Sequence, residues 1–319
     1  MATKHLDGKI AVVTGGAGGM GSWIAKTYAE QGAKVVVADT GADVEGRMGM
    51  DASRVNAVVD EIKAAGGDAV AVVGDIADMD TAEATIKLAL DTYGGLDILC
   101  CAHGILRERM IFNMSEDEWD SLVRAHLKGC FAPTKFASIY WRQERTRGGR
   151  IIYFTSDAGV FGSAGQPNYS AAHNGKLGLM RSNARALERY GVTCNAIAPG
   201  ASTRMTDRGR GVDQEGPPPS ESAAGTARDP RNLAPLAVWL ASDASAKVSG
   251  TIFGGTGHRV TIYSQPVVER SIWSETPFFD IDNLFEEWPR TLGLGGYPMQ
   301  RMPQMGGPGP SAQAEGASR

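Results

Sequence analysis

The feature that most constrains the fold of this chain is an alternation of short apolar runs with longer amphipathic segments. Six runs rich in β-branched residues lie at 10–14, 34–39, 69–73, 97–101, 150–155 and 192–198. Between them, apolar residues recur at i, i+3 and i+4 over 21–31, 52–64, 79–93, 115–142 and 170–190. Uninterrupted apolar strands are typical of a parallel sheet covered by helices on both faces. The pattern predicts an α/β fold, a doubly wound parallel sheet whose ligands bind at the carboxyl ends of the strands.

The chain has 319 residues, and one such domain accounts for residues 5–255. A polar, glycine-containing insertion at 40–52 follows the second predicted strand. Residues 256–300 are rich in large aromatic side chains, which predicts an extension that packs onto the domain or onto a neighbouring subunit. Residues 301–319 are rich in Gly, Pro, Ala and Ser and can bury little, so we expect a flexible tail.

Composition excludes several classes of partner. A formal charge of −4 gives no reason to expect nucleic acid or an anionic membrane surface. No run approaches the roughly 20 apolar residues of a membrane span, and the start lacks the apolar region of a signal peptide, which favours a cytoplasmic protein. The four cysteines lack zinc-ligand spacing and predict buried free thiols rather than a metal site: Cys100, Cys101, Cys130 and Cys194.

A glycine-rich stretch follows the first predicted strand and opens the first predicted helix. Its residues include Gly15, Gly19, Met20 and Gly21. Glycines at this place allow a tight turn and let the backbone approach a pyrophosphate, which the helix N-terminus then binds. The stretch predicts a dinucleotide site of the Rossmann type.

Asp39 ends the second predicted strand. A carboxylate at that position accepts hydrogen bonds from the adenosine ribose hydroxyls and repels a 2′-phosphate. No Lys or Arg lies in the glycine-rich stretch to reverse this preference. We therefore predict NAD rather than NADP, with a capping role for Asp39 as the alternative.

Four sequence features together resemble the short-chain dehydrogenase/reductase family over residues 8–255. They are Thr14-Gly15-x-x-x-Gly19-x-Gly21, Gly74-Asp75-Ile76, Ser156 thirteen residues before Tyr169, and Pro199-Gly200. A closer similarity is to the (3R)-hydroxyacyl-CoA dehydrogenase part of peroxisomal multifunctional β-oxidation enzymes and their bacterial relatives. The stretches that carry it are 104–109, 125–129, 165–172, 198–206 and 234–240.

The resemblance implies roles for particular residues. Tyr169 is then the acid/base and Ser156 the ligand of the substrate oxygen, with His173 and His126 as further catalytic positions. An unperturbed tyrosine titrates near pH 10, so the chemistry needs a neighbour that lowers the pKa of Tyr169. The further positions that the resemblance places at the cofactor are Asp75, Ile76, Cys101, Tyr169, His173, Pro199 and Ala201.

The sequence departs from that family around the nicotinamide ribose. His173 stands four residues after Tyr169, where the family has a lysine, and Cys101-Ala102-His103-Gly104 stands where it shows Asn-Asn-Ala-Gly. Lys176 follows seven residues after Tyr169, about 10 Å further along a helix, so we expect that it does not replace the lost ammonium. His126 takes a position that is often asparagine in the family, and the β-oxidation relatives resemble this chain in having histidine there.

Three functions remain open. In the first, an NAD-dependent oxidoreductase interconverts a secondary alcohol and a ketone, on a 3-hydroxyacyl-CoA or a steroid-like substrate. A protonated His173 would then lower the pKa of Tyr169, with activity fading in alkaline buffer as that charge is lost. This enzyme would be a homodimer or homotetramer.

In the second, the chain is a catalytically silent subunit that assembles with an active, lysine-containing paralogue. In the third, Tyr169 and a histidine perform non-redox chemistry, a dehydration or an isomerisation. Each histidine also has an ordinary structural interpretation. His103 would then bond the loop backbone, His126 would belong to the core, and His173 would be a tolerated substitution.

Overall fold

The computed structural model describes residues 3–144, 148–207 and 218–293. Within these ranges eight strands form one sheet in the order β3-β2-β1-β4-β5-β6-β7-β8. The strands are β1 Ile10–Thr14, β2 Lys34–Asp39, β3 Asp68–Val73, β4 Ile98–Cys101, β5 Gly149–Phe154, β6 Val192–Pro199, β7 Ile252–Thr256 and β8 Arg259–Ile262. Strands β1 to β7 are parallel, and β8 pairs antiparallel with β7. The predicted doubly wound α/β fold is confirmed.

Helices lie between the parallel strands, and one more helix follows β8. Those of eight or more residues are α1 Gly19–Glu30, α2 Ala52–Ala64, α3 Met79–Tyr93, α4 Glu116–Val123, α5 Gly129–Glu144, α7 Pro167–Ala186 and α10 Ala234–Ala241. The shorter ones are α6 Asp157–Phe161, α8 Arg204–Asp207, α9 Pro219–Ser222 and, after β8, α11 Ile281–Glu287. Helices α4 and α5 are joined by a π-helical segment at Arg124–Lys128, where the sequence predicts one continuous helix. The π-helical segment matters for the site because it carries His126.

Two apolar layers cover the sheet. Within β1, Ala11 and Val13 pack with residues of α1, α2 and α10, whereas Ile10 and Val12 pack with residues of α3, α5 and α7. This alternation follows from the two-residue period of a strand, and both of its faces are buried because helices cover both. The carboxyl ends of β1, β4, β5 and β6 consequently meet at one edge of the sheet, where the site lies.

The chain divides into two compact units between Pro266 and Val267. The β7–β8 hairpin belongs to the first unit and spans the domain boundary predicted at residue 255. The second unit contains α11 and a 3₁₀ turn at Trp288–Arg290. The predicted flexible tail at 301–319 lies outside the described residues, and the packing predicted for 256–300 stays a prediction.

Candidate active site

A groove of about 1000 Å³ lies at the carboxyl ends of the central strands. It is lined by seven of the predicted cofactor residues: Gly15, Gly19, Met20, Gly21, Asp39, Asp75 and Ile76. The lining does not include Cys101, Tyr169, His173, Pro199 or Ala201. Cys101 is fully buried beneath the groove, and its neighbour Ala102 faces the groove instead.

The glycine-rich stretch has the shape that a pyrophosphate needs. Gly15 has a φ of +70°, and a Cβ there would lie 2.5 Å from the backbone of His103. The amide of Gly18 donates to the Gly15 carbonyl at 3.0 Å, which closes the turn before α1. No side chain caps the N-terminus of α1, and its first turn holds no acidic residue, so its amides are available to an anion. These residues fit a nicotinamide nucleotide.

Asp39 lies at the end of β2, where it organises the surrounding backbone. Its two carboxylate oxygens accept from the amides of Ala17 and Gly41, each at 2.9 Å. Arg54 and Arg204 line the groove near this carboxylate. The carboxylate is therefore held at the position from which it would meet a ribose.

The insertion at 40–52 lies against the loop that follows β4. The amide of Leu106 donates to the Val44 carbonyl at 2.9 Å, and Arg107 Nε donates to the Glu45 carbonyl at 3.1 Å. A Cβ at Gly46 would lie 3.0 Å from the Ile105 side chain. The insertion therefore forms one wall of the groove rather than a free loop.

Ser156 and Tyr169 lie close together at the N-terminal end of α7. Ser156 follows β5 and caps α6, where its hydroxyl accepts from the Ala158 amide at 3.2 Å. Tyr169 lies in the first turn of α7, and its hydroxyl donates to Met205 Sδ at 3.9 Å. Burial raises the pKa of Tyr169 to about 12, and the nearby Ser156 hydroxyl partly opposes that rise. The structure thus brings the predicted pair together, with a phenol that is protonated at neutral pH.

The His173 ring packs against the rings of both Tyr169 and His126. Its ring centre lies 4.0 Å from that of Tyr169 and 4.6 Å from that of His126. Both ring nitrogens are buried and have no hydrogen-bond partner among the described residues. Burial, followed by the charge of Lys176, lowers the pKa of His173 well below its usual value. The expected protonated His173 is therefore wrong for this site, because the imidazole is neutral at neutral pH.

His126 has partners on both ring nitrogens. Its Nε2 lies 2.7 Å from the Ile105 carbonyl, and its Nδ1 lies 3.1 Å from Lys176 Nζ. Nε2 also lies 3.1 Å from the Ile105 amide nitrogen. An ammonium can only donate, so Nδ1 accepts, and Nε2 then carries the proton and donates to the Ile105 carbonyl, the nearer of its two Ile105 partners. Burial and the charge of Lys176 lower the pKa of His126 well below its usual value.

Lys176 extends far enough to contact His126. Its side chain is fully buried, and Nζ donates to the Phe154 carbonyl at 3.0 Å as well as to His126. The estimate of about 10 Å measured the rise between backbone positions. A helical side chain leans toward the N-terminus of its helix, so a long lysine recovers much of that distance.

The His103 side chain lies between Thr14 of β1 and Gly129 of α5. Its Nδ1 lies 2.5 Å from Thr14 Oγ1, whereas its Nε2 is buried without a partner among the described residues. Each of the three histidines also occupies space that a Cβ would need. The His103 ring packs on Gly129 and the His126 ring on Gly104, whereas the Cβ and backbone of His173 pack on Gly159. The sequence alone does not reveal these histidine–glycine pairs, because their members are distant in the chain.

The cysteines are buried and reduced throughout the chain. Burial opposes ionisation of Cys130, but a hydrogen bond from Cys101 and the charge of Lys176 lower its pKa. Among the described residues, no group of three or more His, Cys, Asp or Glu side chains is arranged to hold a metal ion. In the same residues, no helix has the length and apolar character needed to cross a membrane.

A doubly wound sheet that ends in this groove, beside a serine–tyrosine pair, is the arrangement of an oxidoreductase that uses a nicotinamide nucleotide. Comparison with known proteins makes the assignment specific. The chain belongs to the short chain dehydrogenase family, whose model matches residues 9–214. The enzyme class predicted from the motifs is confirmed, as is the similarity to the (3R)-hydroxyacyl-CoA dehydrogenase group.

Three relatives illustrate the similarity. Hydroxyacyl-CoA dehydrogenase ChsB1 of Mycobacterium tuberculosis is 41% identical over 289 residues, which cover 87% of this chain and 86% of that protein. Peroxisomal multifunctional enzyme type 2 of Mus musculus is 37% identical over 79% of this chain, which spans only 32% of the mouse protein. The crystal structure of a short chain dehydrogenase from Mycobacterium avium has a TM-score of 0.78 and 37% identity, covering 93% of this chain and 99% of that one.

Membership of this family supports general statements about the reaction, the cofactor and the assembly of the protein. The chain is an oxidoreductase that interconverts an alcohol and a ketone, and its cofactor is a nicotinamide nucleotide. Members of this family act on small molecules and typically form oligomers.

Proposed function

We propose that the protein is an NAD-dependent dehydrogenase for the secondary alcohol of a 3-hydroxyacyl-CoA, with a steroid-like hydroxyl as the alternative substrate. The observation that carries this proposal is that the Ser156 hydroxyl lies next to the Tyr169 phenol, at the edge of the sheet where the cofactor groove lies. The names of the relatives support the acyl-CoA class, since two of them are a hydroxyacyl-CoA dehydrogenase and a peroxisomal multifunctional enzyme.

The chain's own residues supply the proton chemistry. The glycine-rich stretch and Asp39 would hold a nicotinamide nucleotide, which would supply a hydride acceptor for the carbinol carbon. Ser156 Oγ donates to the substrate oxygen and holds it next to Tyr169. The Tyr169 phenolate takes the hydroxyl proton in oxidation, and the phenol returns it in reduction.

Replacing Tyr169 tests this role. We expect Tyr169→Phe to lower kcat for a 3-hydroxyacyl-CoA by about 100- to 1000-fold, within the range of general acid–base catalysis. Tyr140→Phe, at a partly buried tyrosine of α5 away from the site, is the matched control. Retained turnover in Tyr169→Phe, measured by NADH absorbance, would exclude Tyr169 as the acid/base.

Asp39 supports NAD as the cofactor, because a fixed carboxylate repels the 2′-phosphate of NADP. We expect wild type to bind NADH at least about tenfold more tightly than NADPH, and Asp39→Ala to remove most of that difference. Asp43→Asn changes another carboxylate that lines the groove and is the control. Equal affinity of wild type for both nucleotides, followed by their fluorescence, would overturn this choice.

A silent subunit is the second candidate. It is favoured by the neutral His173 and by the high pKa of Tyr169, since neither group provides an activated base. The pure protein would then bind NADH without turning over substrate, and a paralogue would restore activity. The catalytic candidate instead predicts turnover by the pure homodimer or homotetramer, which light scattering identifies.

A cytoplasmic location is part of the proposal that the protein is an NAD-dependent dehydrogenase.

A further inference from the structure

Lys176 is a lysine in an unusual environment. Of the described lysines, only Lys176 lies among the buried residues, and none of its surface is exposed. No described carboxylate lies within ion-pair distance of Nζ, whose hydrogen bonds go to the Phe154 carbonyl and to His126 Nδ1. A buried ammonium without a carboxylate is expensive, so its retention indicates a functional place rather than a packing one.

The titratable groups that interact with Lys176 come from four elements. They are His126 of the π-helical segment, His173 of α7, Cys101 of β4 and Cys130 of α5. Burial lowers the pKa of Lys176, and the Cys130 and Cys101 sulfurs oppose that change. None of these neighbours is a carboxylate, so Lys176 is the cation of the cluster.

We propose that Lys176 is a positioning residue. Its ammonium is the positive charge of this site, in the place of a lysine at position 173, and it acts on the reaction by fixing the tautomer and orientation of His126. The ammonium donates to Nδ1 and thereby fixes the Nε2–H tautomer of His126, whose proton is donated to the Ile105 carbonyl. That carbonyl belongs to the loop that lines the cofactor groove. The His126 ring in turn packs edge-on against Tyr169, with 5.2 Å between ring centres.

The three packed rings explain how a lysine seven residues from Tyr169 affects the reaction. Burial and then the Lys176 ammonium keep the two imidazoles neutral, because a positive charge is unfavourable in an apolar site and next to a second positive charge. His126 then orients the groove loop, and His173 fills the space beside Tyr169 without charge. Lys176 itself touches neither Tyr169 nor the groove lining, so its effect runs through His126.

The first test is independent of activity, although the kinetic part rests on the proposed function. Histidine ring nitrogens are followed by ¹⁵N NMR between pH 5 and pH 8, and the His126 signals are identified by their loss in His126→Gln. We expect His126 to remain the neutral Nε2–H tautomer across this range. A wild-type His126 that titrates near pH 6.5, or that carries its proton on Nδ1, overturns the proposal even if no variant folds.

The second test removes the charge with Lys176→Met, using Lys128→Met at an exposed lysine as the matched control. We expect the pKa of His126 to rise in Lys176→Met only, because burial still lowers it but the neighbouring positive charge is gone. For 3-hydroxybutyryl-CoA oxidation, we expect kcat to fall at least tenfold while KM for NAD stays within threefold. A folded Lys176→Met protein with an unchanged His126 and unchanged kcat refutes the proposal.

A charge swap provides the rescue. In His173→Lys/Lys176→Met the charge returns from the neighbouring turn of α7, and we expect kcat to recover to within about threefold of wild type. A double variant that binds NADH but recovers nothing shows that charge is not what Lys176 contributes. If wild type has no dehydrogenase activity, the proposed function fails, whereas the NMR result still decides the role of Lys176.

Discussion

Gly104→Ala is expected to destabilise the protein through a single imidazole. A Cβ at position 104 would lie 2.8 Å from His126 Nε2 and 2.9 Å from Nδ1, and closer still to Cε1. Carbon atoms pack at about 3.5–4.0 Å, so the ring or the loop has to move by roughly 1 Å. Both of the ring's hydrogen bonds limit that movement.

The magnitude follows from two contributions. Overpacking of a closed site costs about 1–3 kcal/mol. Weakening the hydrogen bond from His126 to Ile105 adds about 1 kcal/mol. We therefore expect the free energy of unfolding to fall by about 2–4 kcal/mol in Gly104→Ala.

The control is Gly178→Ala, because a Cβ at this exposed helical glycine meets no atom within 4 Å. There we expect a gain of about 0.5–1 kcal/mol from reduced chain entropy. Urea unfolding measures both variants. In a His126→Ala background, Gly104→Ala should cost less than about 0.5 kcal/mol, since the obstructing ring is absent. A Gly104→Ala protein as stable as wild type, or an equal loss in both backgrounds, would refute the steric explanation.

Three further outcomes follow from the site and its surroundings. The rate of alcohol oxidation should rise from pH 7 to pH 10, because the Tyr169 pKa of about 12 lies above this range; a profile that falls above pH 8 would contradict a neutral His173. The Ser115 amide and Arg109 lower the folded-state pKa of Glu118 to about 2, below its ordinary value of 4.5, so its contribution is present above pH 4.5 and lost as pH falls toward 2. Urea unfolding of Glu118→Gln should accordingly differ from wild type at pH 7 and converge with it near pH 2. Arg107→Met removes the bond to the Glu45 carbonyl and should weaken NADH binding several-fold, which fluorescence titration measures, with exposed Arg142→Met as the control.

The fold was predictable because its determinants are local or periodic. Strand runs such as 10–14 and 192–198 are apolar on both faces, and that pattern alone indicates a covered parallel sheet. The Ser156–Tyr169 pair was found through its spacing in a family motif. The π-helical segment at Arg124–Lys128 was not predicted, because its residues continue the periodicity of a helix.

The charge distribution of the site was not predictable from position. His173 occupies the place of a lysine in the sequence, but its protonation depends on burial and on Lys176, which only the packed structure reveals. The distance between backbone positions predicts no contact between Lys176 and this cluster. The direction and length of the lysine side chain instead decide that it contacts His126. Sequence therefore identified the residues of the site better than their charge states.

Two of the histidine–glycine pairs have an evolutionary consequence. A side chain added at Gly104 or Gly129 collides with an imidazole, so each of these glycines is free to change only after its histidine has been lost. At Gly159 the collision is with the Cβ and backbone of position 173, which remain when the histidine is replaced. Substitutions in a lineage should therefore occur in a fixed order at the first two pairs, which ancestral reconstruction would detect as covariation between positions 103 and 129 and between positions 104 and 126.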